Sequence, residues 1–127
     1  MPESNVSGLL MDGFREVSRI LDEKNSTLAA DPLLAELAEI VGREPVSDLS
    51  RLAVLRVVES RELSAAAEII QYFAHRFRWG WLEEEVRRCY LESLANEDRK
   101  SARHYERMLE AFSDDWEDRD LFPSLDL

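Results

Sequence analysis

The chain has one cysteine, four glycines and four prolines in 127 residues. A lone Cys89 excludes an intramolecular disulfide and a cysteine-based zinc site, and it fits a reducing compartment. So few Gly and Pro exclude a linker-rich or low-complexity chain. Long apolar runs are missing as well: none approaches the ~20 residues that span a bilayer. Met1-Pro2-Glu3-Ser4-Asn5 has neither the basic start nor the apolar core of a signal peptide. A cytoplasmic protein without a membrane partner is therefore expected. Positive charge is scarce too, with 16 Lys and Arg against 27 Asp and Glu and a net charge of −11. Nucleic-acid binding needs a net-positive face, because phosphate neutralisation supplies its non-specific affinity. Nucleic acid is accordingly not an expected partner.

What remains is enough for one globular domain over residues 1–127. A chain of this length buries roughly two-thirds of its unfolded surface and needs no staple to hold a core. The dominant apolar period is helical, and no stretch alternates long enough for a strand. The pattern predicts an all-α domain of about six antiparallel helices in three hairpins, stacked as a HEAT-like array or packed as a compact bundle.

The first helix is expected over Val6–Glu23, with Val6, Leu10, Phe14, Val17 and Leu21 on one stripe. Gly8 and Gly13 weaken it by about 1 kcal/mol each relative to Ala. The second is expected to open at Asp31-Pro32, since Asp is a good N-cap and Pro suits the first helical position. Its apolar face is Leu33, Leu34, Leu37, Ile40 and Val41, and Gly42 is placed to cap its end. The third follows Pro45, capped by Ser47 or Asp48, with Leu49, Leu52, Leu55 and Val58 inward. The fourth spans about Glu62–Arg78, with Ala66, Ile69, Ile70, Phe73 and Phe77 inward and Gly80 as its end. A break near Ser60 separates these two, unless they form one bent rod. The fifth covers Trp81–Ala95, with Leu82, Val86, Cys89, Tyr90 and Leu94 inward. After the turn Asn96-Glu97-Asp98, the sixth runs to about Phe112 with Ala102, Tyr105, Met108, Leu109 and Phe112 inward.

Apolar positions repeat at a spacing of 36. Leu91 and Leu94 align with Leu55 and Val58. Ala102, Tyr105 and Leu109 align with Ala66, Ile69 and Phe73, and Ile69, Ile70, Phe73 and Phe77 align with Leu33, Leu34, Leu37 and Val41. Three similar hairpins produce such a period, and so does any pair of amphipathic helices slid into register.

Charge is concentrated at the end. Residues 109–127 hold seven acids and one base, which is −6 of the net −11, whereas residues 61–108 are neutral. Within the acidic stretch lie Trp116, Leu121 and Phe122. These are expected to dock onto the last hairpin and make 113–127 an acidic capping segment closed by Pro123, because terminal elements of helical arrays must cover an open core. Asp114, Asp115, Glu117, Asp118 and Asp120 are then left exposed. Exposed charge of one sign speeds encounter with a basic partner. A second interface candidate is the stretch Tyr72–Trp81. Phe73 and Phe77 belong to the core by spacing. Arg76, Arg78 and Trp79 are the types that interfaces favour, unless Trp81 is buried and Trp79 merely stacks on an arginine.

Catalytic chemistry finds little support. His75 and His104 lack the Glu-x-x-His spacing of a bundle di-iron site. Cys89 lies on an apolar stripe, where a thiol is inert. Glu83-Glu84-Glu85 opens the fifth helix and suits the positive end of its dipole. There is no phosphate loop and no nucleophile elbow. Glu59-x-x-Glu62 is half of a magnesium site of the kind nucleotide-handling helical enzymes use, but its second half is missing from a neighbouring helix. No cofactor or metal is expected.

The segment Leu94-Ala95-Asn96-Glu97-Asp98-Arg99-Lys100-Ser101-Ala102-Arg103, continuing to Met108-Leu109, resembles one HEAT-type repeat. Asp98 stands in the turn, and Ala102 and Arg103 stand early in the second helix, as that pattern has them. The resemblance is best over residues 82–112. The middle hairpin departs from it, with Glu62 and Leu63 in place of the usual turn residues, and the first lacks the turn and the Arg. In composition, the small acidic chain with its Asp/Trp-rich end is similar to bacterial immunity-type proteins. These resemblances imply a non-enzymatic binding scaffold whose partner is a basic protein, in the second case a toxin. The alternatives are a small nucleotide-handling enzyme at Glu59 and Glu62, and a structural homo-oligomer subunit with Trp79 or the first helix as interface.

Overall fold

A computed structural model describes residues 2–42, 48–60 and 63–126. The side chains of Val6 and Leu49, the expected Pro45–Ser47 helix start, and Glu62 lie outside the described residues. Among the described residues six α-helices carry the fold: α1 Pro2–Lys24, α2 Thr27–Val41, α3 Asp48–Glu59, α4 Ala66–Phe77, α5 Gly80–Ala95 and α6 Arg99–Glu110. Two short 3-10 turns follow, Glu117–Leu121 and Pro123–Asp126. There is no strand among the described residues. No described helix is long and apolar enough to cross a membrane.

Each helix packs on its sequence neighbour as a hairpin: α1 with α2, α3 with α4, α5 with α6. Between hairpins, α1 meets α3 and α3 meets α5, while α2 meets α4 and α4 meets α6. The odd and even helices thus form two layers around one core. Leu10, Phe14, Leu34, Ile69, Ile70, Phe73, Leu82 and Met108 fill that core. Phe14 meets the edge of Phe73 with ring centroids 5.9 Å apart, a geometry that adds ~0.5–1.5 kcal/mol beyond the buried area.

Several expected boundaries move, each for a local reason. Helix α2 opens four residues before Asp31, because Ser26 is the cap and its hydroxyl accepts from the Ala29 N–H at 3.3 Å. Asp31 is therefore not an N-cap. It sits inside the helix, is 5% exposed, and has another task described below. Gly42 does end α2, but in a right-handed conformation. Its lack of a side chain serves packing, since a Cβ there would lie 3.0 Å from the Phe77 ring.

Helices α3 and α4 are two rods. Ser60 stops the first and its hydroxyl accepts from the Leu63 N–H. Buried Ser18 of α1 accepts from the Ala65 N–H, which fixes the start of α4. Helix α4 then ends at Phe77, not at Gly80. The left-handed residue is Arg78, with φ 53°, and Gly80 begins α5. An arginine tolerates that conformation here because its guanidinium bonds to the His75 and Phe112 carbonyls and to Asp114. Asp98 caps α6 through the Ser101 N–H, as the turn pattern anticipates.

Helix α5 keeps its expected inward face at Leu82, Val86 and Cys89, with Tyr90 partly buried against the core, and departs from it at Leu94. Ser93 faces inward, whereas Leu94 is 49% exposed. The 36-residue alignment accordingly holds for Ala66 with Ala102 and Ile69 with Tyr105, all buried. It fails for Val58 with Leu94. Helix α3 is covered by α1, α4 and α5, but among the described residues the main neighbours of α5 are α3 and α6, and Leu91 and Leu94 on its other side are exposed.

Candidate functional site: the acidic tail and its clamp

The path of the tail begins on α4. Glu68, Gln71, His75 and Arg78 recur at helical spacing and form a polar seam to the end of α6. Glu68 pairs with Arg107 at 3.2 Å, and the Gln71 amide donates to the Arg107 carbonyl at 3.0 Å. His75 donates through Nδ1 to the Ala111 carbonyl at 3.0 Å. A carbonyl only accepts, so that bond fixes the tautomer. The Arg78 guanidinium reaches the Phe112 carbonyl and the Asp114 carboxylate, the latter at 2.8 Å.

Beyond Asp114 the chain turns back across α4 to α2, where its main contacts lie, and not mainly onto the last hairpin, which corrects the expected docking. Trp116 is 5% exposed, lies against His75 with ring centroids 5.2 Å apart, and stacks on Phe122 at 5.5 Å. Phe122 is 1% exposed and meets the edge of Tyr72 at 5.6 Å. Leu121, expected as a third anchor, is 40% exposed. Pro123 opens a further 3-10 turn where a simple stop was expected.

The far end of the tail is clamped by Asp31. Its carboxylate accepts from the Ser124 N–H at 3.1 Å and from the Ser124 hydroxyl at 2.8 Å. The Ser124 hydroxyl also lies 2.7 Å from the Tyr72 hydroxyl, which accepts from Arg76 at 3.1 Å. A buried carboxylate needs such partners to offset its lost hydration. The clamp joins residues 93 apart in sequence, so no local pattern announces it.

The nine expected site residues divide into groups. Asp115, Trp116, Glu117 and Asp118, together with Glu110 and Ser113, line an open cavity of about 390 Å³. The Ser113 hydroxyl donates to Asp115 and holds that carboxyl below the usual range, helped by the Asp115 backbone. Asp120 is exposed. Asp114 and Arg78 pair with each other, so each is partly neutralised by the other. Such an exposed pair is worth little in stability, about 0–1 kcal/mol.

Arg76 lies apart from the acidic cavity, on a cleft with Ala35, Glu39, His75, Ser124 and Leu125. Trp79 is elsewhere again. It is sandwiched between Phe77 at 4.5 Å and Trp81 at 4.8 Å, and the arginine stacking expected for Trp79 occurs instead on Trp81, through Arg51 at 4.9 Å. The aromatic stretch is therefore a half-buried ladder at the α4–α5 corner, separate from the acids. Glu110 and Ser113 are the residues sequence reasoning missed. Glu110 is the outward residue of the last α6 turn, and helical phase alone was enough to find it.

One further cluster was invisible in the sequence. Glu59, Glu85 and Cys89 bring ligand atoms within 4.8 Å of one another. Arg88 stands among them, bonded to Glu85 at 2.7 Å and Glu92 at 2.9 Å and lying 3.8 Å from Glu59. Its guanidinium holds the Glu85 carboxyl below the usual range. Burial, then the Glu85 charge, pushes the Cys89 thiol up. A neutral thiol and carboxylates already held by a guanidinium make an ion-pair network at the α3–α5 contact.

Comparison with protein-family models, with curated proteins and with solved structures finds no match.

Proposed function

We propose that the chain is a non-enzymatic protein-binding module that receives a basic protein partner on its acidic C-terminal face. One observation carries this reading: the acidic tail is held rigid at both ends. Trp116 and Phe122 anchor it in aromatic packing and Asp31 clamps Ser124. The acids between them are presented outward on a fixed surface. A preorganised patch of one sign loses little entropy on binding and steers an oppositely charged protein toward it. The layered hairpins support the HEAT-like form of the scaffold. The immunity-type form, with a basic toxin as the partner, rests on the acidity of the face. The single buried cysteine supports a reducing, cytoplasmic setting.

The test is calorimetric titration with an arginine- and lysine-rich peptide. Affinity is expected to fall roughly tenfold or more between about 50 and 300 mM salt, because exposed charges are screened over a Debye length. Replacing Asp115 and Asp118 by Asn should weaken binding at low salt, and Asp114→Asn should weaken it less, because Arg78 already neutralises Asp114. Equal affinity of all variants would remove the acidic face from the reading.

A second reading is favoured by α5. Leu91 and Leu94 are 56% and 49% exposed at the open side of that helix, where a homo-oligomer contact would cover them. Sedimentation at two protein concentrations decides it, and a single monomeric species at both removes it.

A further inference from the structure

The outer face of α6 carries charges of both signs, sorted by position. Lys100, Arg103, Arg107 and Glu110 recur at spacings of three and four, opposite the buried Ser101, Ala102, Tyr105 and Met108, and all four are exposed. The three bases line one cationic cleft with His104. Glu110, one turn beyond Arg107, belongs to the acidic cavity of the tail. Residues 99–107 hold four bases and one acid, whereas residues 110–120 hold six acids and one base. Lys100 and Glu110 are about 15 Å apart along the helix, at 1.5 Å per residue. One face therefore has a positive end and a negative end. Arg107 is answered within the chain, by Glu68. Among the described residues Lys100 and Arg103 have no carboxylate partner, and Glu110, Glu117 and Asp118 have no cationic one. Like charges three and four apart repel along a helix, so both ends favour charges from outside.

We propose that this face binds a second copy of the chain, antiparallel, as a two-fold dimer. An axis between Arg107 and Glu110 sets Arg107 of each copy against Glu110 of the other. It sets Lys100 and Arg103 of each against Asp115, Glu117 and Asp118 of the other. Every contact then occurs twice, as an isologous interface requires. A parallel arrangement would oppose like charges. The proposal rests on the acidic-face reading above and names the occupant of that face. The tail serves as it stands: Trp116, Phe122 and the Asp31 clamp already hold its acids in place, and preorganised groups lose little entropy on pairing. Two copies of net charge −11 repel at long range. Near 0.15 M salt the Debye length is about 8 Å, so distant acids are screened far more than charges in contact. One helix face and one turn make a small interface, which fits a reversible dimer.

Sedimentation velocity near 0.15 M salt tests the dimer. The native chain should pass from monomer to dimer between about 10 µM and about 1 mM, the range of a small interface. Lys100→Glu with Arg103→Glu should weaken the dimer about tenfold or more, because acid then opposes acid. Lys24→Glu with Arg56→Glu makes the same change in net charge at exposed positions of α1 and α3, and should shift the dimer no more than about threefold. Glu117→Lys with Asp118→Lys should weaken it too. Mixed in equal amounts, the α6 variant and the tail variant should associate as the native chain does, because each meets its complement on both sides of the axis. A native chain monomeric up to about 1 mM overturns the dimer. So does a mixture that fails to associate, or a charge-matched control that dissociates as readily as the α6 variant. Association that strengthens with added salt and vanishes in Leu94→Ser overturns it in favour of an apolar contact on α5. In each of these outcomes continued binding of the arginine- and lysine-rich peptide leaves the acidic-face reading standing. The α6 variant keeps every tail acid, so its failure to bind that peptide overturns the reading itself.

Discussion

Replacing Asp31 by Ala separates two roles by magnitude. An N-cap aspartate contributes typically about 1 kcal/mol. Here Asp31 is buried and accepts two hydrogen bonds from Ser124. Hydrogen bonds to a charged group are worth about 1.5–3 kcal/mol each, which sets a ceiling of about 3–6 kcal/mol. The two bonds share one residue, and a released Ser124 is rehydrated, so the expected cost is about 2–4 kcal/mol. For a chain of this size 1 kcal/mol moves the melting temperature by roughly 4 °C, so the variant should melt roughly 8–16 °C lower. Losing the clamp should also free the tail before the helices unfold, because Phe122 and Trp116 are then its main anchors and Leu125 is only partly buried. The Trp116 indole signal should broaden or shift at temperatures where far-ultraviolet circular dichroism is still native. Phe122→Ala should act on the same unit, so the double variant should cost less than the sum of the single ones. Ser26→Ala, which removes the actual cap, should cost only about 1 kcal/mol and leave Trp116 unmoved. A cost near 1 kcal/mol for Asp31→Ala, or full additivity with Phe122→Ala, would refute the clamp.

The two glycines of α1 should respond in opposite directions to alanine. At Gly8 a Cβ meets nothing within 4 Å, so Gly8→Ala should stabilise by about 0.5–1 kcal/mol in a denaturant titration. At Gly13 the Cβ would fall 2.4 Å from a Leu37 methyl, and Leu37 is 4% exposed, so its methyl can move only by repacking its buried neighbours. Gly13→Ala should lose more by overpacking than it gains in propensity, up to about 1–3 kcal/mol. Trp79→Ala breaks the ladder between Phe77 and Trp81 and should cost about 3 kcal/mol, the lower end for a large aromatic because Trp79 is only half-buried. Arg51→Ala should cost no more than about 1 kcal/mol. Burial and the Glu85 carboxylate raise the Cys89 pKa, so the thiolate should appear only at higher pH than for a free thiol. A thiol reagent should react slowly with the folded protein near neutral pH and rapidly in denaturant, and equal rates in the two would contradict the burial.

The sequence by itself determined the class of the fold, the number of helices and most of the core. Those features follow from a 3.6-residue period that is written locally in each segment, and from caps such as Asp98 whose partner is three residues away. It also placed the acids at the end and Trp116 and Phe122 among them. Where two local rules competed, it chose wrongly. Asp31-Pro32 looks like a helix start, yet Ser26 caps earlier and Asp31 is drawn into the helix by a partner 93 residues on. Gly80 looks like the end of α4, yet Arg78 takes the left-handed turn because its side chain finds three acceptors there. Leu94 looks inward by its type, but among the described residues α5 has no third main neighbour to cover it.

The tertiary structure alone decided which way the tail goes. Docking back over α4 to α2 depends on a histidine edge, a tyrosine hydroxyl and a buried carboxylate, contributed by separate helices that only the packed layers bring together. The same packing set Arg76 and Trp79 apart from the acids, and gathered Glu110, Asp115, Trp116, Glu117 and Asp118 around one cavity. Helical periodicity specifies which side of a segment is apolar. Which helix covers that side depends on contacts across the whole chain, and those contacts shaped the acidic face.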